Sequence, residues 1–277
     1  MRTVAALRSE LSKIFRQRVT WSGFLVMAVL AALVTWGSHH ERDRIDVEHM
    51  LGGQFVVAGN TISALFIANA TMQVATVVLM PLLVAVVVGG LVAGEKQSGT
   101  LRTLLSRPVS RASVLLSKLA AAWAYTLTLT FALGAVALGL GYLVFGWGDL
   151  VVLHQGLVIF EPGLGLTRLA MAYGLAAAAM GAVAAVALML SVIFDNPMTA
   201  AGLTVAALLV SGIVAQMPYF ASIEPHLLTS HLRLYRDVLS AEIDQPDLIK
   251  SAQYLTGYSV AAIIVALAVF TRRDVTT

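Results

Sequence analysis

Cysteine is absent from all 277 residues, which excludes disulfides and thiolate chemistry while saying nothing of compartment. Charge is scarce as well: 12% of residues are Asp, Glu, Lys or Arg against 58% hydrophobic, and the mean hydropathy is +0.85. Soluble domains carry about a quarter charged residues, so a chain this apolar is polytopic and lives in a lipid bilayer. The net charge is only +3 despite a pI near 9.3, and the bases are segregated by loop rather than spread into one footprint, so no nucleic-acid partner is implied. No ionisable side chain falls at mid-depth in any long apolar run. Ion-coupled transporters and intramembrane hydrolases need such groups at depth, where they are costly and therefore functional, so neither class fits.

A nucleotide site is missing too. Gly89 and Gly94 have the spacing of a phosphate-binding loop, but Glu95 and Lys96 stand where Lys and Ser or Thr are required, so an acid would face the phosphates. The chain is therefore read as a non-enzyme with no cofactor of its own. His39, His40, Asp43, Asp46 and His49 do not have the spacing of a metal site and read as a solvated acidic loop, while His226 and His231 fall on different helical faces. An enzyme acting on lipid would need an acid–base or metal constellation, and none stands out. The Asn69-Ala70-Thr71 sequon lies too near the membrane to weigh.

What is present is a series of spans. Residues 1–18 carry Val4, Leu7, Leu11, Ile14 and Phe15 on one helical face and Arg2, Arg8, Ser12, Lys13 and Arg16 largely on the other, a basic amphipathic helix suited to an anionic membrane surface rather than a cleaved signal peptide. Residues 19–37 form the first span, with Trp21 and Trp36 as interfacial anchors. The apolar stretch from Asn60 to Gly94 is too long for one simple span, so we divide it near Thr71. An outer helix over 56–70 then ends the outer segment 38–71, and the second span covers 72–94 with a kink at Pro81. The third span covers 113–144 and ends in a Tyr142, Phe145, Trp147 belt, followed by a polar loop with Asp149 and Glu161. The fourth, 167–194, repeats small residues at Gly174, Ala178 and Ala182, a spacing that lets helices approach closely. Asp195-Asn196-Pro197 turns into the fifth, 198–217; the outer segment 218–250 holds an amphipathic helix over His226 to Leu239; and the sixth covers 251–271. Twelve of the 18 lysines and arginines flank one side, which the positive-inside rule makes cytoplasmic together with both termini.

The charged stretch from Gly94 to Lys118 stands apart as an interruption rich in bases. Ser98-Gly99-Thr100 supplies a turn and an N-cap, and Leu101, Leu104 and Leu105 recur at i, i+3, i+4 until Pro108 stops the helix. A helix of about two turns is marginal in water, so its leucine face requires a membrane surface or a partner groove. Glu95 and Lys118 bracket this 95–112 loop, either as two charges facing water or as a pair, and Arg107 and Arg111 at least retain it inside. Mild polarity marks the spans at Asn69, Gln73, Thr76, Tyr125, Thr126, Thr128, Thr130 and Gln216. The threonines serve either packing or a substrate path.

These residues resemble the first cytoplasmic loop of the ABC-2 type permeases, the membrane subunits of ATP-driven exporters: Glu95 ending the second span, Gly99-Thr100 opening a short coupling helix, the Pro108 to Arg111 turn, and Lys118 heading the third span. The resemblance implies an all-α polytopic fold of six transmembrane helices in the bacterial cytoplasmic (inner) membrane. It implies a single 1–277 transmembrane domain that exports an unidentified substrate, driven by separate cytoplasmic ATPase subunits that hold the ATP and magnesium. Further expected partners are a second permease, the same or homologous, and an outer accessory protein. The coupling residues would be Glu95, Gly99, Thr100, Leu101, Leu104, Leu105, Arg107, Pro108, Arg111 and Lys118, and the substrate path would use Gln73, Thr76, Tyr125, Thr126 and Thr130. The alternative is a non-transporting anchor that uses the same loop to recruit an ATPase to a multiprotein assembly.

Overall fold

The structure, a computed structural model, describes residues 2–40, 62–100, 110–153, 157–243 and 245–272. Among them, α1 (Arg2–Arg16) is the amphipathic helix, and six further helices have the length and apolarity to cross a membrane: α2 (Arg18–His40), α3 (Ala64–Gln97), α4 (Arg111–Phe145), α5 (Pro162–Ile193), α6 (Pro197–Val214) and α7 (Gln245–Arg272). At the α1–α2 junction the Thr20 hydroxyl donates to Ile14 O (2.6 Å) and the exposed Trp21 indole to Phe15 O (2.9 Å). Local chemistry sets several ends. Ser110 accepts from Ser113 N to cap α4, and Asn196 Oδ1 accepts from Met198 N and Thr199 N, with Pro197 at the first position of α6.

The expected division near Thr71 is not found. α3 runs unbroken from Ala64, and Thr71 lies inside it with its hydroxyl bonded to Ile67 O; residues 56–61 lie outside the described set. Leu65, Ile67, Ala68 and Met72 are buried, so the surplus apolarity serves packing against α4 and not a lipid surface. Ser63 fixes the start of the helix: its hydroxyl accepts from Phe66 N and donates to Asp149 O at 2.6 Å, beyond the far end of α4. The disruption expected at Pro81 takes the form of a π-helical turn at Ala75–Leu79 one turn earlier, where the carbonyl that the proline cannot bond would fall.

Two other expectations change. The loop after α4 contains an antiparallel hairpin, β1 (Leu150–Val152) with β2 (Val158–Phe160), paired Leu150 to Phe160; its buried Leu150, Val152 and Phe160 extend the core. The helix expected over His226 to Leu239 is broken into Glu224–His226, Leu228–His231 and Leu234–Leu239. Side-chain bonds fold the segment back on its own start: the Ser230 hydroxyl donates to Glu224 O and His231 Nε2 to Pro225 O. Its apolar residues still pack on α5.

α5 is the most buried span, at 72%. It packs through Ala172, Ala176, Ala179 and Ala184, while Gly174 meets nothing within 4 Å and Ala178 is exposed, so the Gly174–Ala178–Ala182 spacing is not what brings helices together within this chain. Close approach occurs elsewhere. A Cβ on Gly141 would stand 2.9 Å from Ala64 Cα, and one on Gly89 3.0 Å from Ala201 N, both backbone atoms that have little room to yield.

Gly141→Ala should therefore lower stability by about 1–3 kcal/mol, whereas Gly139→Ala, with nothing within 4 Å, should not, as thermal unfolding in detergent will show. A second expectation concerns His231. Burial, then the Lys250 and His226 charges, hold its pKa below the ordinary 6.5, against a bond to the Pro225 carbonyl that favours the cation. The neutral ring is the native form, so its stabilisation is complete above pH 6.5 and is lost as pH falls through the depressed value. Amide exchange over 228–240, corrected for intrinsic rate, should rise below that pH in the wild type and not in His231→Gln.

Candidate functional site

At the end of the bundle that carries α1, the C-terminus of α3 and the N-terminus of α4 meet in a compact ionic cluster. Lys118, the eighth residue of α4, has a side chain only 1% exposed. Its ammonium donates to Glu10 Oε2 and to Leu91 O, each at 3.0 Å, and lies 2.9 Å from Glu95 Oε2 in an ion-pair contact off hydrogen-bond alignment. Lys13 closes the figure, 2.9 Å from Glu95 Oε1 and 3.2 Å from Glu10 Oε1. Two cations and two anions leave the group neutral, which makes burial tolerable. Burial of the Lys13 ammonium pulls its pKa down, but the hydrogen bond and charge of Glu95, with those of Glu10, outweigh this and hold it above 10.5.

Of the two readings left open for Glu95 and Lys118, the structure realises the pair. The expected turn is present, with Gly99 at φ +72°, a left-handed conformation suited to glycine. The Thr100 hydroxyl faces back to Ser98 Oγ (2.9 Å) and Glu95 O (3.4 Å). Leu101, Leu104, Leu105, Arg107 and Pro108 lie outside the described residues. Arg111 donates to Thr271 O at 3.1 Å, tying the start of α4 to the end of α7.

Sequence reasoning missed three residues here. Glu10 lies three residues after Leu7 and four before Ile14, so it sits on the apolar face of α1. An acid there is a readable signal. Lys13 was assigned to the polar face without a partner. Ser191 of α5 carried no signal at all, yet its hydroxyl accepts from Val92 N and Ala93 N, both at 3.0 Å, and donates to Gly89 O at 2.6 Å. Lys96 reaches the same helix end, bonding Val192 O and Asp195 (3.2 Å).

The expected path residues do not converge. Thr126 and Thr130 donate to Trp123 O and Thr126 O of their own helix, both at 2.8 Å, and Gln73 donates to Asn69 Oδ1 at 3.4 Å. Tyr125 is buried with its hydroxyl facing Gly23 and without a hydrogen-bond partner. Thr76 is different. It lines a cavity of about 480 Å³ between the π-helical turn of α3, α6 and the segment that follows α6, and its hydroxyl lies 2.9 Å from that of Tyr235. Of the five residues, only Thr76 lines this cavity. His40 stacks on Trp36 and His39 meets Phe145 edge-on, while Asp43, Asp46 and His49 lie outside the described residues.

The six long apolar helices among the described residues define a multi-pass membrane protein. The chain belongs to the ABC-2 transporter family, the family described as "ABC-2 family transporter protein" matching residues 4–275. It is also similar to the uncharacterized protein YhcI of Bacillus subtilis (strain 168), 29% identical over 212 residues that take in 72% of this chain and 65% of that relative, just under two thirds of its length.

Lys118→Met should cost about 3 kcal/mol, the low end for a broken buried pair because Lys13 remains beside both acids. Denaturation in detergent should show that loss, and Arg8→Ala, at an exposed position, should leave stability unchanged.

Proposed function

We propose that the chain is the permease subunit of an ABC exporter of the bacterial cytoplasmic membrane, working with a second permease and driven by separate ATPase subunits that carry the ATP and magnesium. In this reading both termini and the Gly94–Lys118 region are cytoplasmic, and residues 100–106 receive the push of the ATPases. The observation that supports it best is the ionic cluster. Glu95, which opens that region, is joined through Lys118 and Lys13 to α1 and to the start of α4, so a displacement there is felt by three helices at once. Ser191 and Lys96 carry the same displacement to α5. Family membership supports the division of labour between membrane subunit and ATPase.

Purification in mild detergent should bring down an ABC ATPase. In liposomes holding the complex, transported substrate should stimulate ATP hydrolysis, and Glu95→Ala or Leu104→Asp should cut that stimulation about fivefold or more, on the scale of a 1 kcal/mol coupling energy, with insertion intact. Full stimulation in both variants would remove the segment from the mechanism, and no stimulation by any substrate would leave an anchoring subunit instead.

A further inference from the structure

We infer that the cavity beside the π-helical turn of α3 binds zwitterionic amphiphiles, of which phosphoethanolamine-headed lipids are the type. Its volume of about 480 Å³ lies within the range of small-molecule sites. Its walls are apolar, with Val78, Leu82, Leu208 and Ile213 among them. Apart from Thr76 of α3, whose hydroxyl lies 2.9 Å from that of Tyr235, the polar lining comes from the segment after α6. Most of these are already engaged within the protein: Ser230 donates to Glu224 O (2.8 Å), Thr229 shares a bond with Ser211 (2.8 Å), and Gln216 donates to Gly212 O (3.1 Å).

Two rim side chains remain. Glu224 and Arg233 are exposed, of opposite sign, and neither forms an ion pair among the described residues. One site thus offers an apolar body and two separate, unneutralised charges. The complement is a molecule with a hydrocarbon chain and a head that bears an anion for the guanidinium and an ammonium for the carboxylate. A purely anionic or purely cationic amphiphile would meet one partner and be repelled by the other. The π-helical turn supplies Val77 and Val78 to the wall, and turns of this kind recur at functional sites. Gly212 leaves open space on the α6 wall, with nothing within 4 Å of where a Cβ would stand.

As the cargo of a permease this ligand rests on the reading above; its binding does not. The test uses the full chain in dodecyl maltoside and native mass spectrometry. The probe is lysophosphatidylethanolamine, compared with lysophosphatidylglycerol, which lacks the ammonium, and dodecyltrimethylammonium, which lacks the phosphate. The zwitterion should be retained in preference to both. Arg233→Gln and Glu224→Gln should each weaken it about fivefold, the scale of an exposed ion pair, the first favouring the cationic probe and the second the anionic one. Gly212→Leu should fill the space and abolish retention with an unchanged melting temperature. Equal retention of the three probes, or retention unaffected by Gly212→Leu, overturns the inference and leaves ATPase coupling untouched. Preferential retention with no stimulation of ATP hydrolysis by the same lipid upholds the site and overturns that lipid as cargo, leaving the permease reading to the other substrates.

Discussion

An ammonium group buried among apolar helices has to be neutralised where it stands, and the arrangement of one whole end of this molecule follows from that need. Lys118 is held by a carboxylate from α1, a carboxylate from the end of α3 and a backbone carbonyl of α3. None of these is near it in sequence. Glu10 reaches it only because α1 lies against α4, and α1 can lie there only because its buried acid finds a cation. Lys13 then cancels the remaining negative charge at the exposed margin. The position of the amphipathic helix is thus an electrostatic consequence as much as a response to a membrane surface.

The rest of the bundle is organised by backbone proximity. α5 packs on α3, α4, α6 and α7. Its alanines allow the approach, and Ser191 exploits it by inserting a hydroxyl among the Gly89, Val92 and Ala93 backbone groups of α3. Gly89 also admits α6 through Ala201. α3 is consequently gripped over its last turns and interrupted by a π-helical turn further up, beside the cavity.

Much of this was legible in the chain itself. The six spans and their turns follow from long apolar runs broken by Ser, Gly, Asn-Pro and charge, because a bilayer tolerates only internally bonded backbone. The family resemblance rested on Glu95, Gly99-Thr100, the Pro108 to Arg111 turn and Lys118, and the chain does belong to that family. Where the reading erred, one residue type was serving two purposes. Leu65 and Ile67 looked like an interfacial helix and are packing residues of a longer one, and leucines at helical spacing over 226–239 sit on a broken chain and still pack on α5. The polar positions in the spans gave the weakest guidance, since threonine hydroxyls bond their own helix wherever it runs.

Composition and periodicity by themselves determined the class and the number of spans, because these depend on transfer of residues into lipid. Only the tertiary structure decided that Glu10 and Lys13 complete the Glu95–Lys118 pair, that Ser191 grips α3, and that Thr76, Glu224 and Arg233 share one cavity. Those contacts join residues separated by tens of positions or more, and their energies depend on distance and burial, quantities that spacing along a chain does not carry.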